Sequence, residues 1–211
     1  MQYANDEESS ILSLKHHLSS LGFHQSYNNS LEDIEEVKLF GKDSISVINP
    51  SSERMNTLRT TLHSGLLKNL DFNYRNGSSN TLIYEYGTIF EGKTDQLKDI
   101  SQKSSLSCLV HGDVFAKNVH FDSISASFAF LKGVASNIFE DKRLGMKVKF
   151  LEKKHHYCNP YFSIIDRKKQ VIGGLGVIKE SLLKELDIAH KHDVVVLSLI
   201  HISEPTRLLS I

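Results

Sequence analysis

The sequence predicts a single α/β domain in which amphipathic helices flank a sheet, and three observations predict it. Between Leu62 and Tyr74 the large apolar residues Leu62, Leu66, Leu67, Leu70 and Tyr74 line one face of a helix, and the β-branched and aromatic run Thr81 to Phe90 follows as a strand. The same helical spacing recurs in Ile11, Leu14, Leu18 and Leu21, and again in Phe128, Leu131, Ala135 and Ile138. Lys147 to Leu151 alternates polar with apolar, and Phe162–Asp166 and Val171–Val177 enclose Arg167-Lys168-Lys169-Gln170 as the arms of a hairpin.

Composition sets the class. The 211 residues suffice for one sizeable core, and 40% of them are hydrophobic, as in a globular chain. Lys+Arg and Asp+Glu both number 25, so overall charge advertises no nucleic-acid face. No apolar run reaches the roughly 20 residues needed to cross a bilayer. The two cysteines, Cys108 and Cys158, suggest a reducing compartment, and a cytoplasmic protein without membrane association is expected.

Taken in order, residues 1–9 are polar and read as a disordered or truncated start, and the core domain as residues 10–196. Ser9 or Ser10 caps the first helix and Gly22 stops it. Phe23 to Leu31 reads as extended. Glu32, Asp33, Glu35 and Glu36 lack the ligand spacing and glycine of a calcium loop, and read as the solvated first turn of a short helix. Ser44 to Ile48 is a short strand leading to Asn49-Pro50. Thr60 or Thr61 caps the leucine-striped helix and Asn76-Gly77 closes it. Glu91 to Ser105 reads as a polar loop and Leu106 to Val110 as a strand. Lys179 to Leu186 forms a short helix, and Val194-Val195-Val196 begins the last strand.

Chemistry-bearing groups are sparse. The closest approach to a metal set, His155, His156 and Cys158, lacks a fourth ligand. The glycines of Gly173-Gly174-Leu175-Gly176 lack the lysine and following helix of a phosphate loop, and read as strand glycines packed closely. Cys108 near His111 does not make a thiol nucleophile. No catalytic, cofactor-binding or metal-binding residue is assigned. Arg59 suits a bidentate carboxylate contact, either with a partner surface or in a buried ion pair with Glu85, and the ion pair is preferred.

The wording of the central stretch adds to this. Asn49-Pro50-x-Ser52, then Leu58-Arg59-Thr60, Gly65-Leu66-Leu67 and Tyr84-Glu85-Tyr86-Gly87-Thr88-Ile89-Phe90 together resemble, in order, the β subunit of bacterial phenylalanine–tRNA ligase. Leu21-Gly22-Phe23, Phe130-Leu131-Lys132-Gly133 and Gly173-Gly174-Leu175-Gly176-Val177 extend the resemblance over nearly all of Ser10 to Val196. Where that family has His-Pro-Gly before the hairpin, this sequence has Asn159-Pro160-Tyr161.

The resemblance implies a class II synthetase-like core: a mainly antiparallel mixed sheet flanked by helices. It further implies a non-catalytic domain that supports and pairs with the α subunit, which activates phenylalanine with ATP and charges tRNA(Phe) in a heterotetramer. ATP and magnesium would belong to the whole enzyme, with none bound by this piece. In catalytic members of the class an arginine that holds the ATP α-phosphate follows the Gly-x-x-aromatic strand; here Glu91 and Gly92 follow Phe90, and a carboxylate there repels the triphosphate. Asn49, Pro50, Arg59, Glu85 and Gly87 are the candidate structural or interface residues. The competing readings are a free-standing synthetase-like enzyme and a regulatory binding module of the same fold. Residues 197–211, LSLIHISEPTRLLSI, resemble translated sequencing-adapter read-through and are expected not to be native.

Overall fold

The computed structural model describes residues 3–41, 43–92, 100–115, 117, 119–120, 122–140 and 147–200, the first eight of these as backbone only. A seven-stranded sheet organises them, with helices on both faces and two small accessory sheets.

Helix α1 spans Tyr3–Ser20 and ends at Gly22, whose φ of 89° lies in the left-handed region where glycine has no Cβ penalty. It starts upstream of the predicted Ser9/Ser10 cap, so those serines are helical. Strand β1 (His24–Gln25) pairs in parallel with β5 (Thr81–Glu91), and β5 runs antiparallel to β6 (Ser101–His111). β6 begins five residues before its expected start, because Glu91 to Gly87 of β5 continue the ladder against Ser101 to Ser105. Residues 93–99 of the expected polar loop lie outside the described residues.

The remaining strands complete the sheet. β9 (Lys149–Glu152), β10 (Cys158–Ile165), β11 (Val171–Ile178) and β12 (Val195–Ile200) give the order β1-β5-β6-β12-β11-β10-β9. Every pair except β1–β5 is antiparallel. β12 continues past Val196 through Ile200, and residues 201–211 lie outside the described residues.

Strand alternation sends successive side chains to opposite faces and creates two cores. On one face Tyr84, Leu106, Cys108, Leu175, Val195 and Leu197 pack beneath α1 and α4 (Phe128–Glu140). On the other, Ile83, Leu109 and Val196 receive Leu66, Leu67 and Leu70 of α3 (His63–Arg75) and Leu182 and Leu183 of α5 (Glu180–Glu185). Leu66, Leu67 and Leu70 are fully buried, each stabilising by about 1.5–3 kcal/mol relative to exposure. Thr61, just before the helix, accepts from the His63 N–H at 3.2 Å, although Leu62 occupies the cap position. Asn76 and Gly77 close the helix as the sequence suggests.

A three-stranded sheet, β2 (Leu31–Glu32), β4 (Thr57–Leu58) and β3 (Ile45–Ser46), leads into α3. The third sheet pairs β7 (Asp113–Phe115) with β8 (Ile124–Ser125). Helix α2 (Ile34–Leu39) is capped by Asp33, whose carboxylate accepts from the Glu35 N–H at 2.9 Å. Glu32 departs from the solvated reading: it is buried, and its Oε1 accepts from Ser64 Oγ at 2.5 Å. Strand pairing with β4 turns it inward, and burial raises its pKa.

Candidate site on the small-residue face of the sheet

Arg59 stands where the small sheet meets the large one. Its N–H donates to the Ser30 carbonyl at 2.9 Å, and its own carbonyl accepts from the Phe90 N–H at 3.0 Å. The side chain then lies over β5. Arg59 Nη1 donates to Glu85 Oε1 at 2.6 Å, and Nε donates to the Thr88 carbonyl at 2.9 Å. Asn28 completes the group, donating from Nδ2 to Glu85 Oε2 at 2.7 Å and accepting from Arg59 Nη1 at 3.4 Å. Arg59 and Glu85 are 4% and 2% exposed, so each charge depends on the other for its compensation.

Two glycines make room for this arrangement. A Cβ on Gly87 would sit 2.5 Å from Arg59 Nη2, and one on Gly65 would sit 2.8 Å from the Asn28 side chain. Of the sequence candidates, Arg59, Glu85 and Gly87 therefore come together. Asn49 and Pro50 do not join them: both are exposed in the β3–β4 connection, where Asn49 adopts a φ of 56°. Asn28 and Gly65 were missed; a glycine in the first turn of a helix was the available signal.

Beside the ion pair the sheet presents a row of small or polar side chains. Register aligns Ser163, Gly174, Ser198, Ser107 and Glu85 across five strands. Above them lies a cavity of about 150 Å³ whose walls include Thr60, His63, Tyr157 and Tyr161. Tyr161 reaches across β11: its hydroxyl occupies the space a Gly174 Cβ would need, and its ring lies 3.0 Å from a Cβ built on Gly176. These glycines accommodate the chain's own tyrosine, in agreement with the reading of strand glycines packed closely. His155 stacks on the Tyr161 ring at 4.0 Å, and Tyr157 Oη hydrogen-bonds His63 Nδ1 at 3.0 Å. Burial raises the Tyr157 phenol above its ordinary pKa.

The chemistry available here is limited. Among the described residues no three His, Cys, Asp or Glu gather as metal ligands. His155 is engaged with Tyr161, His156 lies against Gly41, and burial pushes the Cys158 thiol up to about 12. Cys108 belongs to the opposite core, and burial raises its thiol too. At the end of β5, Glu91 Oε2 accepts from Lys103 Nζ at 2.5 Å. His63 and His111 are both buried, since strand and helix packing close over them. No helix among the described residues is long and apolar enough to cross a membrane.

Fold and site together define a mixed α/β domain whose polar sheet face is occupied by its own side chains. The chain belongs to the family described as the phenylalanyl tRNA synthetase beta chain CLM domain, which it matches over residues 2–199. It is 27% identical over 175 residues to the phenylalanine–tRNA ligase β subunit of Buchnera aphidicola, covering 82% of this chain and 22% of that one. It is 26% identical over 174 residues to that of Nitratidesulfovibrio vulgaris, covering 81% and 22%. It is 30% identical over 149 residues to that of Oleidesulfovibrio alaskensis, covering 68% and 18%. The chain thus spans about a fifth of the length of the curated relatives it matches.

Proposed function

We propose that this chain is a non-catalytic, class II synthetase-like core domain of a phenylalanine–tRNA ligase β subunit, acting in the cytoplasm as structural support for the α subunit. In this reading the α subunit activates phenylalanine with ATP and magnesium and transfers it to tRNA(Phe), and this domain binds neither cofactor. The observation that carries the non-catalytic reading is how the cations of β5 and its neighbours are engaged. Arg59 is neutralised by the buried Glu85, and Lys103 is paired with Glu91, so neither charge is left to stabilise a transferring phosphoryl group. The cavity beside them is lined by Tyr161 and Tyr157 and is about 150 Å³, below the usual range for a ligand pocket of roughly 300–1,000 Å³.

The test is co-purification of the chain with a phenylalanine–tRNA ligase α subunit from a related source, together with ATP–pyrophosphate exchange on the chain alone. A stable complex and no exchange are expected. Exchange by the isolated chain would support a free-standing synthetase-like enzyme. A folded chain that forms no complex would shift the reading to a separate binding module.

A further inference from the structure

One edge of the sheet carries a charge asymmetry that the neutral total hides. Between residues 147 and 179 the chain has eight Lys or Arg against two carboxylates, Glu152 and Asp166. None of the eight forms an ion pair with a described residue. Lys149 lies on β9, the edge strand, with Lys147 before it and Lys153 and Lys154 after it; Arg167, Lys168 and Lys169 form the β10–β11 turn beside it, and Lys179 follows β11.

The strand arranges them in a line. Val148 and Phe150 pack against the core, so the alternate positions Lys147 and Lys149 are exposed on the opposite side, about 6.7 Å apart by strand geometry. Lys153 continues the same side, its N–H donating to the Tyr161 carbonyl at 3.0 Å. There the line opens into a cavity of about 570 Å³ whose walls include Lys153, Lys154, Lys179, His155 and Asn159, with Glu152 as its one carboxylate. Lys179 is fixed at its rim, donating to the His155 and His156 carbonyls at 2.9 and 2.6 Å. At the other end, Ile165 pairs with Lys149 and leads into the exposed Arg167-Lys168-Lys169 turn.

We infer that this edge binds the sugar–phosphate backbone of an RNA strand, with one phosphate in the Lys153–Lys154–Lys179 cavity and its neighbours along Lys149 and Lys147. A nucleic-acid strand offers a phosphate at every nucleotide, which suits a line of unpaired cations ending in a cavity that accepts a phosphate with its sugar. The recognition is by charge and independent of sequence. The choice of RNA among polyanions rests on the proposed function, whereas the site rests on the edge itself. Lysines on an exposed edge also discourage strand pairing between molecules, and that role alone predicts no RNA affinity.

The experiment is fluorescence anisotropy of a labelled 20-nucleotide RNA of mixed sequence with the 211-residue chain, between 50 and 200 mM salt. Two triple variants are compared: K149Q/K153Q/K154Q, and K38Q/K117Q/K184Q, which removes the same charge from ion-paired positions elsewhere. The expected result is binding that weakens with salt. The edge variant should bind at least tenfold more weakly with a log–log salt slope shallower by about 2, and the control should stay within about twofold. Absence of binding by chain shown folded by circular dichroism overturns the inference. So does equal loss in both variants, or displacement by polyglutamate as effective as by unlabelled RNA, which would assign the edge to an acidic protein. Co-purification of the edge variant with the α subunit separates the two readings, because pairing should survive while RNA binding fails.

Discussion

Arg59 Nη1 and Glu85 Oε1 lie 2.6 Å apart with both side chains almost fully buried, joining the small sheet that precedes α3 to the second strand of the large one. Asn28 and the Thr88 carbonyl take further hydrogen bonds of the pair, so the contact fixes three separate segments of chain. Removing one partner leaves the other as an uncompensated buried charge.

Arg59→Ala should therefore lower stability by about 3–5 kcal/mol, as read from urea unfolding. The double replacement Arg59→Met with Glu85→Leu should lose much less, since no orphaned charge remains. Equal losses in the single and double variants would contradict this account.

Gly174 and Tyr161 make a second coupled pair. Gly174→Ala places a methyl group where the Tyr161 hydroxyl lies, forcing the ring off the sheet and breaking its stack on His155. In the background of Tyr161→Ala the same change should cost much less, giving a coupling energy of about 1–3 kcal/mol in a double-mutant cycle. Additive effects would show that the glycine answers to some other neighbour.

His111 links stability to pH. It is fully buried, its Nε2 accepts from the N–H groups of Lys191 and His192 at 3.3 Å each, and Tyr74 packs edge-on against it. Burial, then the neighbouring His192 and His190, push its pKa down from 6.5 to about 4. The unfolded chain therefore binds the extra proton first. This contribution is fully present above about pH 6.5 and is lost as pH falls toward 4, with a total of at most about 3 kcal/mol. His111→Gln should flatten the unfolding free energy across that window. An unchanged slope would remove His111 as its source.

The proposal that foreign sequence begins at Leu197 also has a physical consequence. Leu197 and Leu199 are fully buried between β6 and β11, and Ser198 aligns with Gly174 and Ser107 on the small-residue face. The gene recovered from source DNA should differ after Val196 yet keep apolar residues at 197 and 199 and a small one at 198. An unchanged reading through Ile211 would refute the adapter origin.

Periodic features were legible. The leucine stripe, the Asn76-Gly77 stop, the hairpin about Arg167–Gln170 and the strand ending at Phe90 depend on spacing and turn residues close together in the chain. The resemblance carried by Asn49-Pro50 through Phe90 supplied the family. Those words did not give the length of β6, because its first residues are polar and are held by pairing with β5 rather than by their own pattern.

By itself, the sequence determined the helices, most strands, the α/β class and the nomination of Arg59 with Glu85. Only the tertiary structure decided that Glu32 and His111 are buried, that Asn28 completes the ion pair, and that Tyr161 rests on Gly174 and Gly176. It alone strings the lysines along an edge strand. The physical reason is distance along the chain: His63 meets Tyr157 94 residues away, and Asn28 meets Glu85 57 residues away. A local pattern tells a side chain which face of its element it occupies; strand order and register choose what lies opposite.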